Sequence, residues 1–235
     1  MSSNLITRSI SSMAHFNLHY FMNTLADSKG SDICVLQIGA MDGVTFDPMH
    51  DYIKRFDWGG LLVEPLEPYF SQLKATYADN PRITCVQTAI ADKVGKVTFH
   101  WVPPEAIAPD KVPHTLGLGA ASLYPDRNAL AFDEVRPYVQ TVEATATTLP
   151  ALLQGHPLQS VDVVCIDAEG HDYQIMAQFP FETFHPWVIQ CELVNMPKAE
   201  QNALKRLLDA QGYIHTKAGY NLLAVSLRFF EKFSY

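Results

Sequence analysis

Five short runs of β-type residues constrain this chain more than any other feature: Ile33 to Ile38, Gly60 to Glu64, Ile83 to Ile90, Val161 to Asp167 and Trp187 to Leu193. They are continuous rather than alternating, the pattern of strands buried on both faces, as in a parallel sheet covered by helices. Helix signals stand between them. Asp47 and Pro48 supply an N-cap and a first helical position for a helix toward Phe56, and Glu67-Pro68 opens another that runs to about Ala78. Strand, helix, strand at these distances is the signature of a doubly covered parallel sheet.

The remaining segments complete the plan. Residues 10 to 28 repeat Ile10, Met13, Ala14, Leu18, Phe21, Met22 and Leu25 at mostly three- and four-residue spacing, an amphipathic helix that Gly30 stops. The segment after Asp92, VGKVTFHWV, alternates like a sheet edge or one arm of a hairpin. From Pro103 to Pro137 the chain holds six of its fifteen prolines and no clear periodicity, the character of a binding loop. Later come a strand at Tyr138 to Thr145 and helices at Thr148 to Leu153, Gly170 to Gln178 and Pro197 to Leu208. Tyr213 to Lys217 and Leu222 to Leu227 face each other across a four-residue joint as an antiparallel hairpin. The expected fold class is α/β, a three-layer sandwich. The expected domains are an N-terminal helical extension, 1–30, and one catalytic domain, 31–235, with a substrate-loop insertion at about 102–138.

Composition narrows function. With 17 basic and 25 acidic residues the net charge is −8 and the pI about 5.5, which disfavours a partner recognised through its phosphate backbone, so no nucleic acid is expected. No apolar run approaches the roughly 18 residues of a membrane span, and the first residues lack a basic segment followed by an apolar one. The expectation is a soluble cytoplasmic protein with no membrane partner. Cys34, Cys85, Cys165 and Cys191 form no CxxC pair and sit in strand runs, where they read as small buried hydrophobes.

In an open parallel sheet, ligands bind where strands end at their carboxyl side. After the first strand comes Gly39-Ala40-Met41-Asp42-Gly43, a turn small enough for close approach of a ligand. After the second comes Glu64, a carboxylate placed to accept both ribose hydroxyls of a nucleoside. A dinucleotide fingerprint would need glycine at positions 41 and 44, where Met41 and Val44 stand, and the P-loop motif is absent. Adenosine without phosphates fits, and S-adenosylmethionine is its common carrier. The fourth strand ends in Asp167-Ala168-Glu169-Gly170-His171-Asp172, the densest titratable cluster in the chain. His171 is the candidate general base, its ordinary pKa being near neutral, with Asp167 contacting the donor or orienting that histidine. The acids also suit helix capping, and His171 a surface position. Glu169 and Glu192 are candidate acceptor-binding residues. No second close ligand set accompanies the one histidine, so no metal is expected.

The segments VLQIGAMDG, GGLLVEPLEPYFSQL, VQTAIADKVGKVTF, VDVVCIDAEGHDYQIM and VIQCELV, in this order, resemble the FkbM-type S-adenosylmethionine-dependent methyltransferases from about Ile33 to Leu227. The resemblance implies a Rossmann-like class I methyltransferase fold with a seven-stranded sheet ending in a reversed strand. It also implies that Gly39, Ala40 and Gly43 line the methionine side of the cofactor with Gln37 beside them, that Glu64 holds the ribose, and that Ala89 faces the adenine. The family commonly has aspartate at the position of Gln37 and asparagine at that of Met41. The function expected is methyl transfer to a hydroxyl of a small-molecule or glycan acceptor. A non-catalytic interaction module and a nicotinamide-dependent oxidoreductase are the alternatives.

Overall fold

A computed structural model describes residues 16–233. In chain order its elements are helix α1 (Leu18–Lys29), strand β1 (Cys34–Ile38), α2 (His50–Phe56), β2 (Gly59–Val63), α3 (Glu67–Thr76), β3 (Ile83–Val86), β4 (Ala89–Ile90) and β5 (Gly95–Trp101). The insertion contributes α4 (His114–Gly117) and β6 (Ala121–Ser122). There follow β7 (Gln140–Thr147), α5 (Leu149–Gly155), β8 (Val163–Ile166), α6 (Asp172–Met176), β9 (Val188–Glu192), α7 (Lys198–Ala210), β10 (Tyr213–Ala218), β11 (Asn221–Ser226) and α8 (Leu227–Phe233).

Seven strands form the main sheet in the order β10-β11-β9-β8-β1-β2-β3. The pairs from β9 to β3 are parallel, and β11 runs antiparallel to both β9 and β10. This is the seven-stranded sheet with a reversed terminal strand that the sequence resemblance implies. Its two faces are read directly from alternate residues. Leu36, Ile38, Val164, Ile166 and Ile189 pack against Leu152 of α5, Met176 of α6 and Leu204 of α7. Val35, Leu62, Val163, Val188 and Leu223 pack against Phe21 of α1, Ile53 of α2 and Phe229 of α8. Both faces are dry, so the strands needed no polar alternation. Fully burying one such Leu, Val or Phe contributes about 1.5–3 kcal/mol, and both core layers are built of them.

Several sequence expectations shift. The single helix expected over 10–28 has, within the described residues, a start at Leu18, where the Asn17 side chain accepts a hydrogen bond from the Tyr20 N–H. Ile10, Met13 and Ala14 lie outside the described residues. Phe21, Met22 and Leu25 are fully buried, so α1 belongs to the outer layer of the core. The run Ile83 to Ile90 is two strands, because β4 leaves the main sheet to pair with β7. With β5 and β6 these build a second, four-stranded sheet, β4-β7-β5-β6, which the sequence pattern did not disclose. The insertion is thereby anchored: β6 is the edge strand beside β5, and Val102, Val112, Ala120, Leu130 and Val135 form its own small core. Helix α8, immediately after β11, was also unforeseen; its Phe229 and Phe233 fill the face beside Trp187. Among the described residues, no helix is long and apolar enough to cross a membrane.

Candidate active site

The carboxyl ends of β1, β2, β8 and β9 open into one cleft, which β4, the insertion and the loop after β1 wall in. Gly39, Ala40, Gln37, Glu64, Ala89, Asp167, Glu169 and His171 all line it. Gly39 is required by close approach, but not of a ligand. At φ +78° its position would bring a Cβ to 1.8 Å from the Asp167 carbonyl oxygen, so only glycine lets β1 and β8 end side by side. Gly43 corrects the sequence reading. It is buried away from the cleft, where a Cβ would meet Leu73 and Tyr77 at 2.7 Å, and its carbonyl accepts from the Tyr77 hydroxyl at 3.2 Å.

Glu64 is 5% exposed. One carboxylate oxygen accepts from the Met41 N–H at 3.0 Å and the other from the Leu66 N–H at 2.8 Å. Burial pushes its pKa up to about 7 against the pull of these two donors. The two bonds clamp the β1 turn, where Met41 sits in the left-handed region at φ 49°, onto the end of β2. Each oxygen keeps a further lone pair for an outside donor. Beside it, Leu66, Tyr69, Ala89 and Phe99 make an apolar wall, and Leu118 of the insertion packs on the same cluster.

The acidic turn after β8 is different in kind. Register pairs Ile166 with Cys191, which brings Asp167 and Glu192 next to each other at two neighbouring strand ends. Glu169, held at φ 49°, turns back toward them, and ligand atoms of Asp167, Glu169 and Glu192 lie within 4.8 Å of one another. Spacing in the sequence gave no sign of this set, against the expectation that no close ligand set exists. Three such carboxylates are able to chelate a cation or to share protons, and Asn195 Nδ2 donates to both Glu169 and Glu192. Asp167 is exposed to the cleft, and the protein packed around its carboxyl pushes its pKa up to about 6. Burial first, then the neighbouring Asp167, raises Glu192 to about 8. Burial followed by repulsion from Glu192, Asp167 and Asp172 holds Glu169 well above the ordinary range. Asp172, fully buried, accepts from the Gly170 and Glu192 N–H groups at 3.3 and 3.0 Å and so ties the turn together.

His171 is 6% exposed, and burial lowers its pKa. Its partner is Tyr124 of the insertion, hydroxyl to Nδ1 at 3.0 Å, and not Asp167, for which orienting this histidine was one of two expected roles. Nε2 is buried without a hydrogen-bond partner among the described residues. The insertion is fastened to the same turn twice more, and once to the loop after β9. Ser122 Oγ donates to the Glu169 carbonyl at 2.8 Å, Arg127 Nη1 donates to the Gly170 carbonyl, and the Asn128 N–H donates to Asn195 Oδ1 at 3.1 Å. The Arg127 guanidinium also lies 3.5 Å over the Tyr124 ring.

Two residues escaped the sequence reading. Asn195 carries no motif, being placed only by the loop after β9. Asp47, read as a helix cap, stands three residues before α2 and reaches the cleft wall, where Gln37 Nε2 donates to its Oδ1 at 3.0 Å. A glutamine inside a strand buried on both faces was the available signal, since such a side chain needs a polar partner.

A family model described as the methyltransferase FkbM domain matches residues 37–222. No protein of curated function matches the chain. Among solved structures, the chain is similar to a methyltransferase FkbM from Methylobacillus flagellatus KT, at 13% identity and TM-score 0.48, covering 83% of this chain and 44% of that one. It is also similar to the N-terminal domain of human METTL16 in complex with SAH, at 14% identity and TM-score 0.45, covering 89% and 68%. A human methyltransferase 10 domain containing protein is similar at 13% identity and TM-score 0.45, covering 88% and 79%. The chain spans 65% of the METTL16 MTase domain chain.

Proposed function

The chain belongs to the FkbM methyltransferase family, and from that premise we propose that it is an S-adenosylmethionine-dependent O-methyltransferase acting on a hydroxyl of a small, sugar-like acceptor. The observation that carries this reading is the cleft itself, which has an apolar wall ending at Glu64 on one side and a crowd of carboxylates on the other. Glu64 holds the ribose through the lone pairs that Met41 and Leu66 leave free. Ala89, with Leu66 and Tyr69, covers the adenine, and Gly39 and Ala40 pass beneath the methionine side. The bound donor supplies an electrophilic methyl group.

The chain's own residues align the acceptor and remove its proton. Alignment accounts for about 7–11 kcal/mol of such a barrier, and a positioned base for about 10²–10⁴-fold. Asp167 is the better placed base, being open to the cleft with a pKa of about 6. His171 takes that role only in the tautomer whose Nδ1–H donates to Tyr124, which leaves Nε2 as acceptor. Glu169 on the cleft wall accepts hydrogen bonds from further acceptor hydroxyls, with Glu192 close beside it, and Leu118 and Leu123 cover the acceptor's apolar face. The catalytic domain of 31–235 then carries α1, from the 1–30 extension, in its outer layer.

Calorimetry with S-adenosylmethionine, S-adenosylhomocysteine and NADH tests the cofactor. Binding of the two sulfur compounds and not of NADH is the expected result; binding of neither sinks the reading. Methyl transfer to polyhydroxylated acceptors and not to amines tests the acceptor class.

A further inference from the structure

The cleft wall beside Gly39 contains two acceptors with nothing to accept. Gln37 is 3% exposed, and its amide nitrogen is spent on Asp47 Oδ1 at 3.0 Å. The direction of that bond is fixed, because an ionised carboxylate has no hydrogen to donate and the amide must present its NH₂. Asp47 Oδ1 also accepts from the Met49 N–H at 2.7 Å. What remains is Gln37 Oε1 and Asp47 Oδ2, both buried and both without a hydrogen-bond partner among the described residues. Among the described residues, no lysine, arginine or histidine forms a salt bridge with Asp47. Burial holds its carboxyl above the ordinary range, against the pull of its Met49 and Gln37 hydrogen bonds and of the neighbouring His50.

Two free acceptors on hydrogen-bonded neighbouring side chains and one negative charge call for a group with several N–H donors and one positive charge, that is, a primary ammonium. We propose that Asp47 and Gln37 together bind the α-ammonium of the methyl donor's amino-acid end, Asp47 Oδ2 supplying the charge and Gln37 Oε1 a second acceptor. The assignment rests on the cofactor reading above. It makes Asp47 a binding residue that neither the strand-end turn nor the acidic turn contains.

The test compares two ligands by calorimetry on the full chain. S-adenosylhomocysteine carries the ammonium, and 5′-methylthioadenosine has the same nucleoside and thioether without the amino-acid end. Asp47→Asn should weaken S-adenosylhomocysteine about tenfold or more and leave 5′-methylthioadenosine unchanged. The double variant Gln37→Asp/Asp47→Asn, which returns the carboxylate to the strand, should recover most of that affinity. Equal loss for both ligands, or no loss for either, overturns the assignment, as does a double variant no better than the single one. Wild-type protein that binds neither ligand removes the cofactor reading as well, and so separates the two failures.

Discussion

The glycine turn after β1 and the acidic turn after β8 lie side by side, with Gly39 against the Asp167 carbonyl, and they use similar residues to opposite ends. In the first, the carboxylate of Glu64 is satisfied by two backbone N–H groups, and it locks the turn in place. In the second, Asp167, Glu169 and Glu192 crowd one another around a single amide, that of Asn195, with no cation among the described residues to balance them. Burial raises the pKa in both turns, Glu64 to about 7, but in the first, two fixed N–H donors oppose it, whereas in the second repulsion between carboxylates adds to it. Carboxylates forced together in a cleft keep their protons to unusually high pH, which suits proton transfer near neutrality.

Four perturbations would break or sharpen that contrast. The largest effect belongs to Gly39→Ala. Its Cβ would overlap a backbone oxygen that has no rotamer to change, in a left-handed conformation that alanine resists, and the expected loss is about 3 kcal/mol or more. Thermal melting close to that of the wild type would show that the two strand ends are not rigidly joined. Next comes Asp167→Asn, expected to lower turnover about 10²–10⁴-fold while S-adenosylhomocysteine affinity holds. If that variant keeps its rate and His171→Ala loses it, the base is His171. Glu64→Ala should weaken the cofactor by about 1.5–3 kcal/mol for each charge-assisted bond lost. Unchanged affinity in a titration would show that Glu64 serves only its own turn.

The smallest effect is on stability against pH. Asp167 and Glu192 have folded pKa values raised to about 6 and 8, above those of the unfolded chain, so between about pH 4 and 8 the folded state binds more protons. Their contribution is therefore fully present below the unfolded values and is lost as pH rises through about 6 and then 8. Glu192→Gln should flatten that decline and raise stability near pH 8.5 by on the order of 1 kcal/mol. Denaturation curves at pH 5.5 and 8.5 measure it, and a decline as steep as the wild type's would mean that the crowding is relieved elsewhere.

Much of the main sheet was legible in the sequence because its parallel strands are apolar on both sides, as in VLQI and VVCI, and their ends are marked by Gly39, Glu64 and Asp167. The second sheet was not, since β4 is two residues long and its pairing with β7 depends on contacts more than fifty residues apart. Helix α8 follows β11 without a break, Ser226 Oγ accepting from the Arg228 N–H at 3.3 Å, and no Gly or Pro separates the two, so the sequence pattern ended with the strand at Leu227. Asp47 looked like a cap because Asp-Pro is a cap signal, yet the chain turns it toward Gln37 before the helix begins.

By itself the sequence determined the layered α/β class, the family resemblance and the edge of the sheet at which the candidate site lies. Those follow from local hydrophobic period and from which residues can end a strand, both of which are properties of short segments. Only the tertiary structure decided which side chains meet. The register of β8 against β9 joins Asp167 to Glu192 across 25 positions, the fastening of the insertion gives His171 to Tyr124, and the path of the loop after β1 brings Asp47 to Gln37. Such meetings depend on distances between elements that are remote in the chain, and no local pattern of residues encodes a distance of that kind.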